Sequence, residues 1–245
     1  ALASLVLGMG LPVTAAYIVL GTLSAPALYQ LILQSQIIDL LIAGQVPETA
    51  KPVFMIAVPE QLAALSAPMS PQAATDIMAA LPLETLVLLY DLLFDPSILM
   101  AALLSAHMIV FWLSQDSNVT PPVCLAAFTA AAIAKSPPMQ TGFAAWKIAK
   151  GLYLVPLLFA YTPLLAGDWS TMLEITIFAL FGLWAIGAAI EGHWENSLNL
   201  VMRLAILVVG ATLLWPLPFV WHVVALAGFA GLFFAHLKMR RPVFA

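Results

Sequence analysis

A polar stretch with paired prolines interrupts an otherwise apolar part of the chain between Ser114 and Pro122. Six of its nine residues carry polar side chains, and apolar sequence lies on both sides. Because proline cannot donate into a helix, we expect one helix to end before Asn118 and another to start near Pro121, with Thr120 as its N-cap. Backbone carbonyls freed by such a break, together with side-chain oxygens, suit the coordination of a cation such as Na⁺.

Asp116 is the most informative residue of this stretch, because it and His107 are the only acidic or basic residues in the apolar segment 98–134. A carboxylate inside a membrane is costly, which makes it by default a cation ligand or a proton carrier. The alternative is a surface loop between two shorter spans, which would move the following lysines to the outer side. The candidate substrate-binding or ion-binding residues of this break are Ser114, Asp116, Ser117, Asn118, Thr120, Pro121 and Pro122, with Na⁺ possible at Asn118 and Thr120.

A second irregular stretch lies near the start of the chain. Gly8 and Gly10 permit unusual backbone angles, and Pro12 suits the first turn of a helix. We therefore expect a break with a helix restarting near Pro12, whose N-terminus and the Thr14 hydroxyl are available to an anion. The backbone around Gly8 is a further candidate for Na⁺. The alternative is an ordinary helix kink.

The composition places most of the chain in lipid. Of 245 residues, 63% are hydrophobic and 8% are charged, whereas soluble domains carry about 25% charged residues. Spanning helices need about 20 apolar residues, so we expect an all-α polytopic membrane protein. The candidate apolar segments are residues 2–43, 98–134, 143–165, 171–190, 198–215 and 219–237.

No pattern in the sequence predicts an enzyme. There is no Walker A sequence, no Gly-x-Ser-x-Gly nucleophile elbow and no histidine pair at metal-ligand spacing. The single cysteine, Cys124, excludes a disulfide within the chain. We therefore expect no catalytic residue and no cofactor other than a coupling ion, Na⁺ or H⁺.

Acidic residues and prolines set the segment 44–97 apart from its surroundings. Its apolar runs are too short to span a bilayer, so we predict short amphipathic helices outside the hydrocarbon; a disordered loop, the alternative, would need lower hydrophobicity. Lysine and arginine favour cytoplasmic loops, and one topology places seven of the eight basic residues inside, with Lys51 outside. This topology puts the C-terminus in the cytoplasm and the segment 44–97 in the periplasm.

Both irregular stretches lie in sequence that resembles the large permease subunit of tripartite ATP-independent periplasmic (TRAP) transporters. The first motif runs from Leu7 to Val19 and is followed by the Ala25 to Leu28 run. The second runs from Asn118 to Phe128 and continues in Met139-Gln140-Thr141-Gly142-Phe143-Ala144-Ala145-Trp146-Lys147 and Tyr153-Leu154-Val155-Pro156. The chain is most similar to the fused type that works with TAXI-class binding proteins.

The resemblance implies the second half of an inverted-repeat elevator-type transporter. Residues 1–43 would be part of the second re-entrant hairpin with the following helix, and residues 98–166 the discontinuous helix with its successor. Residues 44–97 would be a periplasmic helical insert that caps the permease or receives its partner, and residues 167–245 the C-terminal transmembrane helices. The first repeat and the small-subunit helices would lie outside this chain, which we therefore interpret as a fragment.

The function implied by the resemblance is ion-coupled symport of a small organic anion, such as a carboxylate, across the bacterial inner membrane. The expected partners are a periplasmic TAXI-type substrate-binding protein, the rest of the fused permease with its small-subunit helices, and the lipid bilayer, but no nucleic acid. Two alternatives stay open: a carboxylate transporter or exchanger of the same superfamily that needs no binding protein, and a membrane assembly subunit that does not transport.

Overall fold

The computed structural model describes residues 11–59, 65–149 and 151–238. It is helical almost throughout these ranges, which confirms the predicted all-α polytopic class. The helices are α1 (Val13–Leu23), α2 (Ala25–Ala43), α3 (Lys51–Ala57), α4 (Pro71–Ala80), α5 (Leu83–Leu93), α6 (Pro96–Ser114), α7 (Leu125–Ala134), α8 (Pro138–Ile148), α9 (Gly151–Tyr161), α10 (Trp169–Glu191), α11 (Leu200–Leu214) and α12 (Phe219–Lys238).

Five helical segments of the described ranges are long and apolar enough to cross a membrane: Ala25–Ala43, Pro96–Ser114, Pro138–Tyr161, Trp169–Glu191 and Phe219–Lys238. Within the predicted span 198–215 the helix is shorter than expected, since α11 has 15 residues. At 1.5 Å per residue it covers about 22 Å, less than the roughly 30 Å of a hydrocarbon core.

The described residues fall into two compact units, one of residues 18–110 and one that joins the residues up to Tyr17 with those from Phe111 onward. In the first unit, Leu33, Ile37 and Leu41 lie four residues apart on one face of α2 and are fully buried. Buried side chains of α3 to α5 and Ala102 share this core. Within the segment 44–97, the described residues form the three short helices α3, α4 and α5.

In the second unit, α10 and α11 pack closely at two glycines. A Cβ atom on Gly210 would lie 3.0 Å from the carbonyl oxygen of Gly182, and one on Gly182 would lie 2.9 Å from Leu214. Small residues allow such close packing between membrane helices. Trp194 joins the resulting core, where it is buried against Phe229 and Phe233.

Side chains satisfy both ends of α10. At its start, Asp168 accepts hydrogen bonds from the Ser170 hydroxyl and the Thr171 backbone N–H, which lower the pKa of Asp168 to about 2. At its end, a two-residue antiparallel pair joins His193–Trp194 to Asn196–Ser197. In the last turn of α10, Arg203 donates from Nε to the Ala189 carbonyl at 2.8 Å and from an Nη atom to the Ile190 carbonyl at 3.0 Å.

Replacing Arg203 by lysine is expected to lower the free energy of unfolding by about 1.5–3 kcal/mol, the usual range for hydrogen bonds to a charged group. A lysine ammonium is a single point donor and does not reproduce the planar fork that contacts both carbonyls. Denaturant titration followed by tryptophan fluorescence would measure the change. Arg203→Met should lose at least as much, and an unchanged stability of Arg203→Lys would contradict the capping role.

Candidate functional site

The predicted break lies in the second unit, between α6 and α7. α6 ends at Ser114, whose buried hydroxyl donates to the Phe111 carbonyl at 2.6 Å. A 3₁₀ turn over Gln115–Asn118 follows, and the next α-helix starts only at Leu125. The expected break is thus confirmed as a backbone feature.

Thr120 does not cap the helix that follows, so this part of the prediction is wrong. The N-cap residue is Cys124, and α7 starts four residues later than expected. The Thr120 side chain turns back to the preceding 3₁₀ turn, where its hydroxyl donates to Oδ1 of Asp116. Its backbone N–H also bonds to the Asp116 carbonyl at 2.9 Å. A carboxylate within reach competes for the hydroxyl that would otherwise cap the helix.

The Asp116 carboxyl group is the centre of this site and is only 1% exposed. Its Oδ1 atom accepts from Thr120 and from the Tyr153 hydroxyl, the latter at 2.5 Å. Tyr153 lies on α9 and in turn accepts from the Trp146 indole N–H at 2.9 Å. A chain of hydrogen bonds therefore joins Trp146 of α8, through Tyr153 of α9, to the Asp116 carboxylate.

The second oxygen of the carboxyl group, Oδ2 of Asp116, is buried and has no hydrogen-bond partner among the described residues. An unpaired buried carboxylate oxygen carries a large desolvation cost. Such an atom is suited to bind a cation or a proton, either of which would remove that cost.

The hydroxyl protons of the site can be counted. Oδ1 of Asp116, the Thr120 hydroxyl and the Tyr153 hydroxyl make three mutual contacts, the one between Thr120 and Tyr153 being 2.9 Å long. An ionised Asp116 leaves two hydroxyl protons for these three contacts. A proton on Asp116 would supply the third, so the trio can accommodate either charge state of the carboxyl group.

Gly142 on α8 packs directly under the break. A Cβ atom at this position would lie 2.8 Å from the Cys124 sulfur and 3.4 Å from Cγ of Pro121. Glycine is therefore required for the close approach of α8 to the start of α7. Cys124 itself is fully buried.

Tyr153, Trp146 and Gly142 were not among the predicted site residues. The only signal for them in the sequence was their position in the motifs that carry the family resemblance. Their contacts with Asp116, Thr120 and Cys124 depend on how α8 and α9 pack against the break, and no local pattern encodes that packing.

The other predicted site residues are more dispersed. Gly8 and Gly10 lie outside the described residues, as does the side chain of Ser117. α1 begins directly after Pro12, which confirms the expected helix start, but Thr14 is exposed and makes no contact with Asp116. Asn118 and Pro121 are half-buried at the break, and Pro122 is exposed there. The described residues contain no group of three or more His, Cys, Asp or Glu side chains that could hold a metal ion.

Comparison with known proteins gives one match. The family model described as "Tripartite ATP-independent periplasmic transporter, DctM component" matches residues 1–165, about two thirds of the chain. This range includes both irregular stretches and the whole of the Asp116 site. No curated protein and no solved structure matches the chain.

Proposed function

The chain belongs to the DctM component family of tripartite ATP-independent periplasmic transporters, and from this membership we propose that it imports a small organic anion by ion-coupled symport. The protein is a multi-pass membrane permease component of a family of transporters rather than enzymes. Families of this tripartite kind imply a periplasmic binding protein and a small subunit as partners.

The observation that carries the proposal is the buried Asp116 carboxyl group at the break between α6 and α7. Secondary transporters place coupling-ion sites at discontinuous helices, where backbone and side-chain oxygens replace the water of the ion. Here Oδ1 of Asp116 is held by Thr120 and Tyr153, while Oδ2 has no partner among the described residues. A coupling cation would bind at Oδ2.

The same site is compatible with either coupling ion. Two hydroxyl donors on Oδ1 stabilise an ionised carboxylate, which would ligate Na⁺ together with the Asn118 and Thr120 oxygens of the break. The trio of Asp116, Thr120 and Tyr153 also has room for one further proton, which would let Asp116 carry H⁺. Binding of either ion neutralises the buried charge of Asp116. It would therefore stabilise the observed arrangement of the residues between α6 and α7.

We propose that the substrate anion binds near the start of α1. The free N–H groups and positive dipole end of a helix attract an anion, and α1 begins directly after Pro12, with the Thr14 hydroxyl in its first turn. Gly8 and Gly10 would let the preceding backbone approach the ligand closely.

We also propose partners for the chain and its orientation in the membrane. The binding protein would be of the TAXI type, and the chain would work with the small-subunit helices and first repeat of a fused permease. The membrane would be the bacterial inner membrane, with the C-terminus in the cytoplasm, as the distribution of lysine and arginine indicates. The segment 44–97 would face the periplasm and take part in docking the binding protein.

Uptake measurements on the intact transporter in proteoliposomes would test the proposal. We expect a labelled organic anion to accumulate only when the binding protein is present and a Na⁺ or H⁺ gradient is imposed. Uptake without the binding protein would favour the exchanger alternative. Absence of uptake under every gradient, with correctly folded protein, would favour an assembly subunit.

If Na⁺ is the coupling ion, Tyr153→Phe should raise the Na⁺ concentration needed for half-maximal uptake by about tenfold, because the hydroxyl holds the ionised carboxylate in place and a hydrogen bond to a charged group contributes roughly 1.5–3 kcal/mol. The variant keeps the ring and removes only the hydroxyl that donates to Asp116. Tyr161→Phe is the matched control, since Tyr161 ends the same helix and is 66% exposed. An equal effect of both variants would contradict a specific role for the Tyr153 hydroxyl.

A further inference from the structure

A cavity of about 240 Å³ lies among the ends of α9, α10, α11 and α12, and most of its lining residues fall beyond the part of the chain that the family model covers. Its walls are largely apolar, with Ile175, Phe178 and Leu213 among them. Two ionisable side chains, Glu174 of α10 and His222 of α12, also line it. The cavity belongs wholly to the second unit and is separate from the Asp116 site.

The protonation pattern of His222 follows from its contacts. The side chain is buried, and its Nε2 atom lies 2.9 Å from the backbone carbonyl of Trp215. A carbonyl oxygen only accepts hydrogen bonds, so Nε2 must carry the hydrogen. The Phe178 ring packs against the imidazole at 4.9 Å between centroids and restricts its rotation. In the neutral ring, Nδ1 is therefore an acceptor.

The acceptor Nδ1 of His222 has no hydrogen-bond partner among the described residues. Oε1 of Glu174 lies 3.8 Å from this nitrogen, which is too long for a direct hydrogen bond. Two acceptors thus face each other across a gap, and burial makes the unsatisfied nitrogen costly. A donor placed between them would bind to both.

We propose that this cavity binds an organic ammonium ion with an apolar body. The ammonium group would donate to Glu174 and to Nδ1 of His222, while the apolar body fills the cavity between Phe178 and Leu213. Glu174 supplies the one carboxyl group among the described residues that line the cavity. Charge and hydrogen bonding therefore both select a cationic donor.

The volume fits a ligand of modest size. An apolar cavity of about 150 Å³ holds a benzene molecule in another protein, so 240 Å³ has room for a ring or short alkyl chain with an amine attached. The ammonium could belong to a free amine or to the headgroup of an aminophospholipid, since both α10 and α12 qualify as membrane-spanning. Both sources present the same ammonium group to the cavity.

Calorimetric titration of the full chain in detergent with 2-phenylethylamine would test the proposal, with 2-phenylethanol as a neutral probe of similar shape. The amine should bind about tenfold more tightly than the alcohol, as expected for a charge-assisted hydrogen bond. Equal affinity of the two probes would overturn the proposal.

Glu174→Gln should weaken binding of 2-phenylethylamine by about tenfold while leaving that of 2-phenylethanol unchanged. The matched control is Glu191→Gln, at the opposite end of α10, where the carboxylate pairs with Lys147 at 3.1 Å and does not line this cavity. Melting temperatures of both variants would establish that they fold. An affinity for the amine that Glu174→Gln leaves unchanged would overturn the proposal.

Nanodiscs of different lipid composition identify the source of the ammonium group. If phosphatidylethanolamine, but not phosphatidylcholine, competes with 2-phenylethylamine, the natural ligand is a lipid headgroup. If neither lipid competes and the amine still binds with dependence on Glu174, the ligand is a free amine. Loss of the dependence on Glu174 in both lipids would overturn the site.

Discussion

Asp116→Asn is expected to reduce ion-driven uptake by about tenfold or more. The substitution keeps the shape of the side chain but removes the charge, and an interaction with a charged group contributes roughly 1.5–3 kcal/mol, or at least a factor of ten. Asparagine also brings an NH₂ group that cannot ligate a cation and cannot accept a proton near neutral pH. Because Asp116 is 1% exposed, water cannot replace the lost ligand.

Uptake of the labelled anion should be compared for wild type and variant under separate Na⁺ and H⁺ gradients. If a Na⁺ gradient drives wild-type uptake and the variant loses it, Asp116 is a cation ligand. If only an H⁺ gradient drives it, Asp116 is the proton carrier. A variant that matches wild type under both gradients would place the coupling site elsewhere in the transporter.

The matched control for this experiment is Asp168→Asn. Asp168 is the N-cap of α10, where its side chain accepts from the Thr171 backbone N–H at 3.1 Å. Asparagine serves this position about as well as aspartate, so uptake and folding should both be retained. The same chemical change then has opposite consequences at a buried site and at an exposed helix start.

Gly142→Ala is expected to destabilise the protein by about 1–3 kcal/mol, the range for overfilling a packed interior. The new methyl group would lie 2.8 Å from the Cys124 sulfur, so α8 or the start of α7 must move. Denaturant titration would measure the loss. Because Cys124 is the only cysteine and is fully buried, faster labelling by a maleimide would report the same displacement directly.

A second substitution separates this clash from other effects of the alanine. Cys124→Ala removes the sulfur atom, so the double variant should recover much of the stability that Gly142→Ala loses, and a double-mutant cycle should give a coupling energy of about 1 kcal/mol or more. Gly187→Ala is the matched control, since a Cβ atom there meets nothing within 4 Å. Additive losses in the double variant would contradict the proposed contact.

The apolar segments and the break at Ser114–Pro122 could be predicted because they depend on local properties. The length of an apolar run compared with the bilayer thickness predicts a span, and paired prolines after a polar stretch predict an interruption. Both signals lie within about 20 residues of sequence. The boundaries were less predictable: the segment 198–215 forms a 15-residue helix, and the helix after the break starts at Leu125 rather than near Pro121.

The membrane environment, the helical class, the helix break and the one carboxylate within it can all be read from the amino-acid sequence. The surroundings of that carboxylate depend on how the helices pack. The Tyr153 hydroxyl that contacts Asp116 lies 37 residues away along the chain. Gly142, which leaves room for the Cys124 sulfur, lies on another helix. Composition and periodicity predict which segments are helical and apolar enough to lie in lipid. Contacts between segments depend on the packing of whole helices, which no local pattern contains.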